Sequence, residues 1–590
     1  MLKCMQTKSP LLAVLGLLCA LVTSCAAPDP VGHVLAVSKD DDRVLELLRT
    51  LCEDHAPRLT GSRKADEACE WTRAQFESYG LEARLETWGM APARFDRGPS
   101  YGRIVGDPAL ELDFLTPSWT VGTAGVVRGP AVLEPKDEAA LANLVAARGA
   151  EPFRGAWIVR TAERLEPKWL RHLDGLYDAQ SAAGILRAGA KSGLLLMSGD
   201  MQAKSRGKRP AIRVRFDQHE ELQARVTRGE TVELEFLIDN RFEDGPVPCA
   251  NVVADLVGTE FPHEYVLVQG HLDTWDGAQG AQDNGSGVAT TMEAARVLAK
   301  SGVRPRRTIR FVLYTGEEQG LYGSQGYVRD HADELEHISV VLNHDGGGTY
   351  LEGLDATYAM LPDMEPLAAQ LRALDPERGF ALREVEGLRN SGDSDHAPFV
   401  GAGVPAFFWK QSERDYEFVH HTQHDTFANV PYDEVRHSAK VVAAAAIYFA
   451  NLDHKLDRTD MKPLPRRSMG VSLSESCQVE RVTKDSRAAV AGMQVGDRVL
   501  SVDGQSVTAR NALTDLVQQL SARQRFLVER AGVQVELTLD WTSDPERRRK
   551  FSLSEKVELT LDWTSDPDES ERAARQARRA AWLAARGRRD

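Results

Sequence analysis

The sequence is poor in cysteine, in long apolar runs and in positive charge. Its 590 residues include seven cysteines. Cys4, Cys19 and Cys25 lie near the start. Cys52, Cys69, Cys249 and Cys477 are scattered and form no C-x-x-C pair, which argues against a cysteine-built zinc site. A Cys52–Cys69 disulfide stays open for an oxidising compartment. The one marked apolar run, Leu11–Val22, is too short to span a bilayer, and no later segment is long and apolar enough. Lys and Arg number 72 against 87 Asp and Glu, for a formal net charge of −15. That balance argues against a general nucleic-acid binder. A hydrophobic content of 42% and a charged content of 27% fit a globular chain too long for one core.

The N-terminus reads as an export signal over residues 1–24. Lys3 and Lys8 precede the apolar run, and Val22-Thr23-Ser24-Cys25 closes it with small residues before a cysteine. That pattern matches a lipobox with Cys25 acylated; the other reading is ordinary signal cleavage. The expected location is the cell envelope or periplasm, with the membrane touched only through a lipid anchor.

From about Asp40 to Tyr79 the chain reads as two helices, DDRVLELLRTLCEDH and ADEACEWTRAQFESYG. The turn Thr60-Gly61-Ser62-Arg63 separates them and Gly80 closes the second. From about Thr87 to Pro246 short β-rich runs alternate with Gly/Pro turns, among them TAGVVRGPAVL, GAWIVRT, SGLLLMS and VELEFLI. An inserted β-rich domain is expected over 96–246. The flanking parts, 40–95 and 247–455, alternate strand-like runs (EYVLVQG, RTIRFVLYTG, ISVVLNHD, GVPAFFW) with helical ones. This is an α/β pattern: a mostly parallel central sheet flanked by helices, with ligands expected at the strands' carboxyl ends.

At those ends sit residues suited to a divalent metal. His271, Asp273 and Asp283 fall in GHLDTWDGAQGAQDNGSG, Glu317 and Glu318 in YTGEEQG, Asp345 in LNHDGGG and His421 in VHHTQHDT. Histidine with carboxylates and no cysteine suits a catalytic zinc site. Two zinc ions bridged by a carboxylate can activate water and stabilise a tetrahedral oxyanion; such a site needs a shared carboxylate, further ligands and a separate base. Asp283 is the bridging candidate. Asp273 is placed to accept the other ring N–H of His271. Neighbouring Glu317 and Glu318 point in different directions, so one can bind metal while the other faces the water.

This set, with H-L-D-x-W-D-x-x-Q-G-A-x-D and H-H-T-x-x-D-T, resembles the di-zinc exopeptidase family that contains bacterial leucyl aminopeptidases and glutamate carboxypeptidases. The resemblance covers roughly Asp40 to Leu452. It implies that Asp283 bridges two zinc ions, that Glu318 and His421 complete one and His271 and Asp345 the other, and that Glu317 is the general base. His421 matches the family ligand; His420 and His424 are weaker candidates. It also implies a cis bond after Asp283 and a protease-associated-like insert. His344 and His396 read as structural or pocket-lining, the latter within Ser394-Asp395-His396-Ala397-Pro398-Phe399.

A polar linker with Pro463 and Pro465 spans 456–467. Beyond it, residues 468–545 resemble a PDZ domain through S-x-A-x-x-A-G-x-x-x-G-D, here Ser486, Ala491-Gly492, Gly496 and Asp497. Met469–Leu473 sits where such domains place their carboxylate-binding loop, but departs from the G-L-G-F form. The tail, 546–590, repeats VELTLDWTSDP, seen first at Val535–Pro545 and again at Val557–Pro567, and ends in an Ala/Arg helix. The first copy is expected to supply the last PDZ strand. The resemblances imply peptide substrates, protein C-termini as partners of the PDZ domain, room for a homodimer and no nucleic acid. Two alternatives remain: a non-catalytic surface binding protein on a peptidase fold, and a glutaminyl-cyclase-like enzyme. The first normally loses metal ligands and the second normally binds one zinc, whereas the ligand set here is complete.

Overall fold

This computed structural model describes residues 29–540, apart from 107–108, 162–164, 203–204, 389–392, 413, 415, 460, 462–467, 475, 485, 508 and 519–522. The export signal with Cys25, the second copy of the tail repeat and the terminal helix lie outside the described residues. Contact density divides the chain into two units, one built mainly from residues up to Leu456 and one mainly from those beyond.

In the first unit, strands Phe261–His271, Arg307–Tyr314, Ile338–Asn343 and Ala406–Phe408 run parallel in the order 406–408, 338–343, 261–271, 307–314. Arg307–Tyr314 is buried along its whole length, as is Ile338–Asn343. Ser339–Leu342 and Phe311–Tyr314 are mainly apolar because helices cover both faces of a parallel sheet, while Arg307 and Arg310 are buried with carboxylate partners Glu264 and Asp255. Helix Ser286–Ser301 packs on helix Tyr432–Ala450, whose Val441–Ala446 stretch is buried. Small alanines there allow close approach of the two helices. Helix Arg63–Ser78 starts at Ser62, whose Oγ accepts the Ala65 N–H at 3.1 Å, and ends before Gly80 at φ +86°.

The insert joins this sheet through a long two-stranded ribbon. Strand Glu82–Ile104 pairs antiparallel with Glu233–Leu256, and the latter also pairs antiparallel with Arg307–Tyr314. The ribbon steps register between Thr87 and Gly89, Ala91 and Ala93, and Arg97 and Ser100. At its far end Val127–Leu133, Trp157–Val159, Gly184–Ala188 and Ala211–Val214 form a parallel set around Trp157, Leu186, Ile212, Leu234 and Phe236. Helices Glu138–Arg148, Pro167–Ala179 and Phe216–Thr227, not foreseen from the sequence, accompany these strands. SGLLLMS, expected as a strand, is instead an extended strap. Its backbone partners are the loop around Thr422 and Ser118 rather than a neighbouring sheet strand. Cys52 and Cys69 form no disulfide with each other.

In the second unit, strands run in the order Gln505–Ser506, Arg498–Val502, Arg523–Arg530 and Val533–Asp540, with a separate pair Val471–Leu473 and Val479–Val482. Phe526, Val528, Val499, Leu513 and Leu539 fill the core. Asp497 anchors the loop before Arg498: it accepts from the Gln494 N–H at 2.8 Å and from Arg530 at 2.7 Å through both carboxylate oxygens. The first copy of the tail repeat thus contributes Val535–Asp540 to the last strand.

Candidate metal centre

Strand register brings the expected residues together. His271 pairs with Tyr314, so Glu317 and Glu318 leave the sheet beside it; Gln269 pairs with Asn343, so Asp345 leaves on the other side. Asp283 comes from the turn Ala281–Gly285 that opens helix Ser286–Ser301, where the Asp283–Asn284 bond is cis. Asn284 ties that turn to its neighbour: Nδ2 donates to the His344 carbonyl at 2.8 Å, and Oδ1 accepts the Gly287 N–H at 3.0 Å. A Cβ on Gly287 would lie 2.2 Å from Asn284 Oδ1 and 2.3 Å from His344 O, so only glycine fits.

Two clusters share Asp283. In one, His271 Nε2 lies 3.0 Å from Asp345 Oδ1, 3.3 Å from Asp283 Oδ1 and 3.9 Å from Glu317 Oε2. In the other, His421 Nε2 lies 3.1 Å from Asp283 Oδ2 and 3.0 Å from Glu318 Oε2. The seven residues expected from the sequence thus meet in one place. His420 stands behind His421, its Nε2 3.8 Å from Asp283 Oδ2 and its ring stacked at 3.9 Å. His424 turns away and stacks on Phe418 at 4.2 Å. His344 and His396 are buried, and neither touches Asp283 through a hydrogen bond or ion pair among the described residues.

Asp273 is used differently from expectation. His271 Nδ1 lies 2.9 Å from the Asp273 carbonyl, while the nearer carboxylate oxygen is 3.6 Å away. The carboxylate is already engaged: it accepts from the Thr60 hydroxyl at 2.9 Å and from the Glu317 N–H at 3.3 Å. Asp273 therefore fixes His271 with its backbone and the Glu317 loop with its side chain.

Several partners escaped the sequence because their roles arise from distant contacts. Arg58 is fully buried and donates to the carbonyls of Leu51, Leu272, Gln279 and Gly280 at 2.8–3.3 Å, gathering the loop on either side of Asp273 and Asp283. Beneath Asp345 runs a buried one-way chain of donors. Tyr314 donates to Gln269 at 2.9 Å, Gln269 to Asn343 at 3.0 Å, Asn343 to Ser394 at 2.8 Å, and Ser394 to Asp345 Oδ2. Asp395 is fully buried, and that burial pushes its carboxyl up to about 7. Half-buried Tyr416 lines the cavity with its ring on His420 at 4.9 Å.

The electrostatics are those of a site built for cations. Burial would raise the Asp283 pKa, but the facing imidazoles of His271 and His421 pull it far below the usual carboxylate range. Burial, with Asp283 close by, pushes Glu318 up to about 8. Burial also lifts Glu317 well above its usual value; His271 opposes this, while Asp345, Asp395 and Glu318 add to it. Burial would lower His421, yet Asp283 and Glu318 raise it to about 10. The cavity, of about 350 Å³, is lined by these acids and by no lysine or arginine among the described residues. Asp283 Oδ2 is buried and meets no hydrogen-bond geometry, although His421 Nε2 is 3.1 Å away. Buried carboxylates without fixed cations are costly unless metal ions pair with them. Oxygen and imidazole donors in two sets around one shared carboxylate fit zinc.

The fold and site are those of a hydrolase acting on peptide bonds. Residues 251–446 match the model of Peptidase family M28, which places that region in the family; residues 478–535 match the PDZ domain. Carboxypeptidase Q of Mus musculus is 26% identical over 447 residues, covering 72% of this chain and 90% of the relative. Aminopeptidase YwaD of Bacillus subtilis (strain 168) is 31% identical over 215 residues, 35% of this chain and 46% of the relative. Among solved structures, a peptidase M28 precursor from Shewanella amazonensis SB2B superposes with a TM-score of 0.54 at 23% identity, covering 72% of this chain and 97% of that one.

Proposed function

We propose that the chain is an exported di-zinc exopeptidase that hydrolyses peptides or dipeptides. The observation that carries this is the sharing of Asp283 between two histidine–carboxylate clusters, with Glu317 beside one of them. His271 and Asp345 would hold one ion, His421 and Glu318 the other, and Asp283 both. When bound, two zinc ions would polarise the scissile carbonyl and make the attacking water more acidic. Glu317 stands free for proton transfer: its carboxylate receives the water's proton and delivers it to the leaving nitrogen. Asp273 holds the Glu317 backbone in place for this, and Thr60 holds Asp273. The Tyr416 phenol stays protonated, since burial with Asp283 and Asp345 nearby raises its pKa well above normal; it is a donor for the tetrahedral oxyanion.

The cavity volume suits a short peptide. Export and a lipid-anchored envelope location rest on the Leu11–Val22 run and Cys25. The PDZ domain supports binding of protein C-termini in addition to catalysis. A panel of dipeptides and of N- and C-blocked peptides, assayed with and without chelator, tests the enzyme. Cleavage abolished by chelator and restored by zinc is the expected result. Cleavage that survives both metal stripping and Glu317→Gln would overturn the mechanism.

A further inference from the structure

His421 is the one candidate ligand with a positive φ. Its φ is +55°, in the left-handed region that residues with a Cβ rarely adopt. Such a conformation persists only where the surroundings over-determine it. Much of what surrounds His421 comes from the insert rather than from the peptidase sheet.

The strap Gly193–Ser198 lies along the His421 loop. Met197 N–H donates to the His421 carbonyl at 2.7 Å, and Leu196 forms an antiparallel bridge with Thr422. Gln423 clamps the strap from the other side: Oε1 accepts the Leu195 N–H at 2.8 Å, and Nε2 donates to the Gly193 carbonyl at 3.2 Å. The strap is braced in turn. Arg213 donates to the Leu196 carbonyl, Ser118 N–H to the Ser198 carbonyl at 2.9 Å, and Gly277 N–H to Met197 Sδ at 3.2 Å. Trp119 of the insert meets Trp275 edge-on at 6.3 Å, and Trp275 meets His421 edge-on at 6.2 Å. Met197 joins the same apolar cluster with Leu59 and Phe95.

Resting on the two-ion assignment above, we propose that the inserted domain is a positioning element of the metal centre: the strap Gly193–Ser198 holds His421 in its ligating conformation and so sets zinc affinity at the His421–Glu318 half. Neither His271 nor Asp345 has a hydrogen bond or ion pair with the strap among the described residues, so the two halves respond differently when the strap is loosened. Groups that orient a metal ligand contribute roughly 10–100-fold to metal affinity, and that is the expected size of the effect.

The test uses the full chain with zinc alone. Gln423→Leu removes both clamp bonds at nearly constant volume, and Gln423→Glu keeps only the acceptor for Leu195. Met197→Pro removes the N–H that His421 receives. Zinc is counted at equilibrium against graded chelator, with thermal unfolding of the metal-free proteins measured in parallel. The expected result is one zinc held as in wild type and the other weakened by at least tenfold in Gln423→Leu and Met197→Pro. Gln423→Glu should fall in between, with the metal-free melting temperatures close to wild type. Two zincs retained as in wild type by both strong variants would overturn the proposal. So would equal loss of both zincs together with a fall in metal-free stability, which would mark the strap as a general fold contact. Wild type that binds no zinc would overturn the two-ion assignment itself, and with it this role for the strap.

Discussion

Asp425 accepts the backbone N–H of Asp283 on its Oδ2 at 3.1 Å. Its Oδ1 takes those of Ala281 and Gln282 at 3.0 and 2.7 Å. One buried carboxylate thus gathers three successive amides and fixes the turn from which Asp283 reaches both histidines. Burial and the nearby Asp283 push Asp425 up to about 7, while those amides pull the other way. Asp425→Asn places an N–H₂ where at least one of the amides points. The expected outcome is a loss of roughly 10–100-fold in zinc affinity for both ions alike, read by competition with a chelator. That symmetry separates it from a strap variant.

Glu317→Gln keeps the shape and the backbone bond to Asp273 but cannot take a proton. The expected outcome is a fall in kcat of roughly 10²–10⁴-fold with KM and bound zinc nearly unchanged. Steady-state kinetics beside metal analysis checks it. A variant that lost its zinc together with its activity would assign Glu317 to the ligands.

Arg58 satisfies four carbonyls from one guanidinium, with no carboxylate hydrogen-bonded to it among the described residues. Arg58→Lys offers three donors at a single point and leaves buried carbonyls unpaired. A loss of about 1–3 kcal/mol is expected, measured by denaturant unfolding of the full chain. An unchanged midpoint would show that water replaces the missing donors.

The strands carrying the centre were legible because burial on both faces gives each an apolar stretch, such as Tyr265–Val268 and Phe311–Tyr314, and the ligands stood out as acids and histidines shortly after them. What stayed hidden depends on distance in sequence. Arg58 and Thr60 show no local pattern, since Leu272 and Asp273 lie 214 and 213 residues along the chain from them, and Tyr416 joins the site only through the cavity that the fold creates. The Asp273 carboxylate was assigned to His271 from proximity, but Thr60 claims it. The apolar SGLLLMS resembled a buried strand; its polar partner loop at Thr422 could not be read from its own residues.

His331 links the ribbon to the end of helix Tyr322–Asp330. Its Nε2 lies 2.8 Å from Glu86 and its Nδ1 3.0 Å from Glu334, with Tyr327 stacked on the ring at 4.1 Å. Burial would lower its pKa, yet Glu334 and Glu86 raise it from 6.5 to about 9. Because the folded pKa lies above the unfolded one, the stabilisation is complete below about pH 6.5 and vanishes as pH rises through about 9. His331→Gln should melt roughly 2–4 °C below wild type near pH 6, with the gap closing across that interval. A gap that stays constant with pH would show that the ring contributes by packing alone.

The ribbon Glu82–Ile104 and Glu233–Leu256 bears on how such chains can be recombined. Because both connections to the insert run in one hydrogen-bonded ladder, a foreign insert cannot be spliced at an arbitrary loop. Between Ala93 paired with Asp244 and Arg97 paired with Asn240 the ladder holds an unbroken register. A chimera cut at matched pairs there would keep the inward and outward alternation of both strands. A cut offset by one residue would turn Phe95 and Phe242 out of the cluster beside Trp119 and bring charged neighbours in.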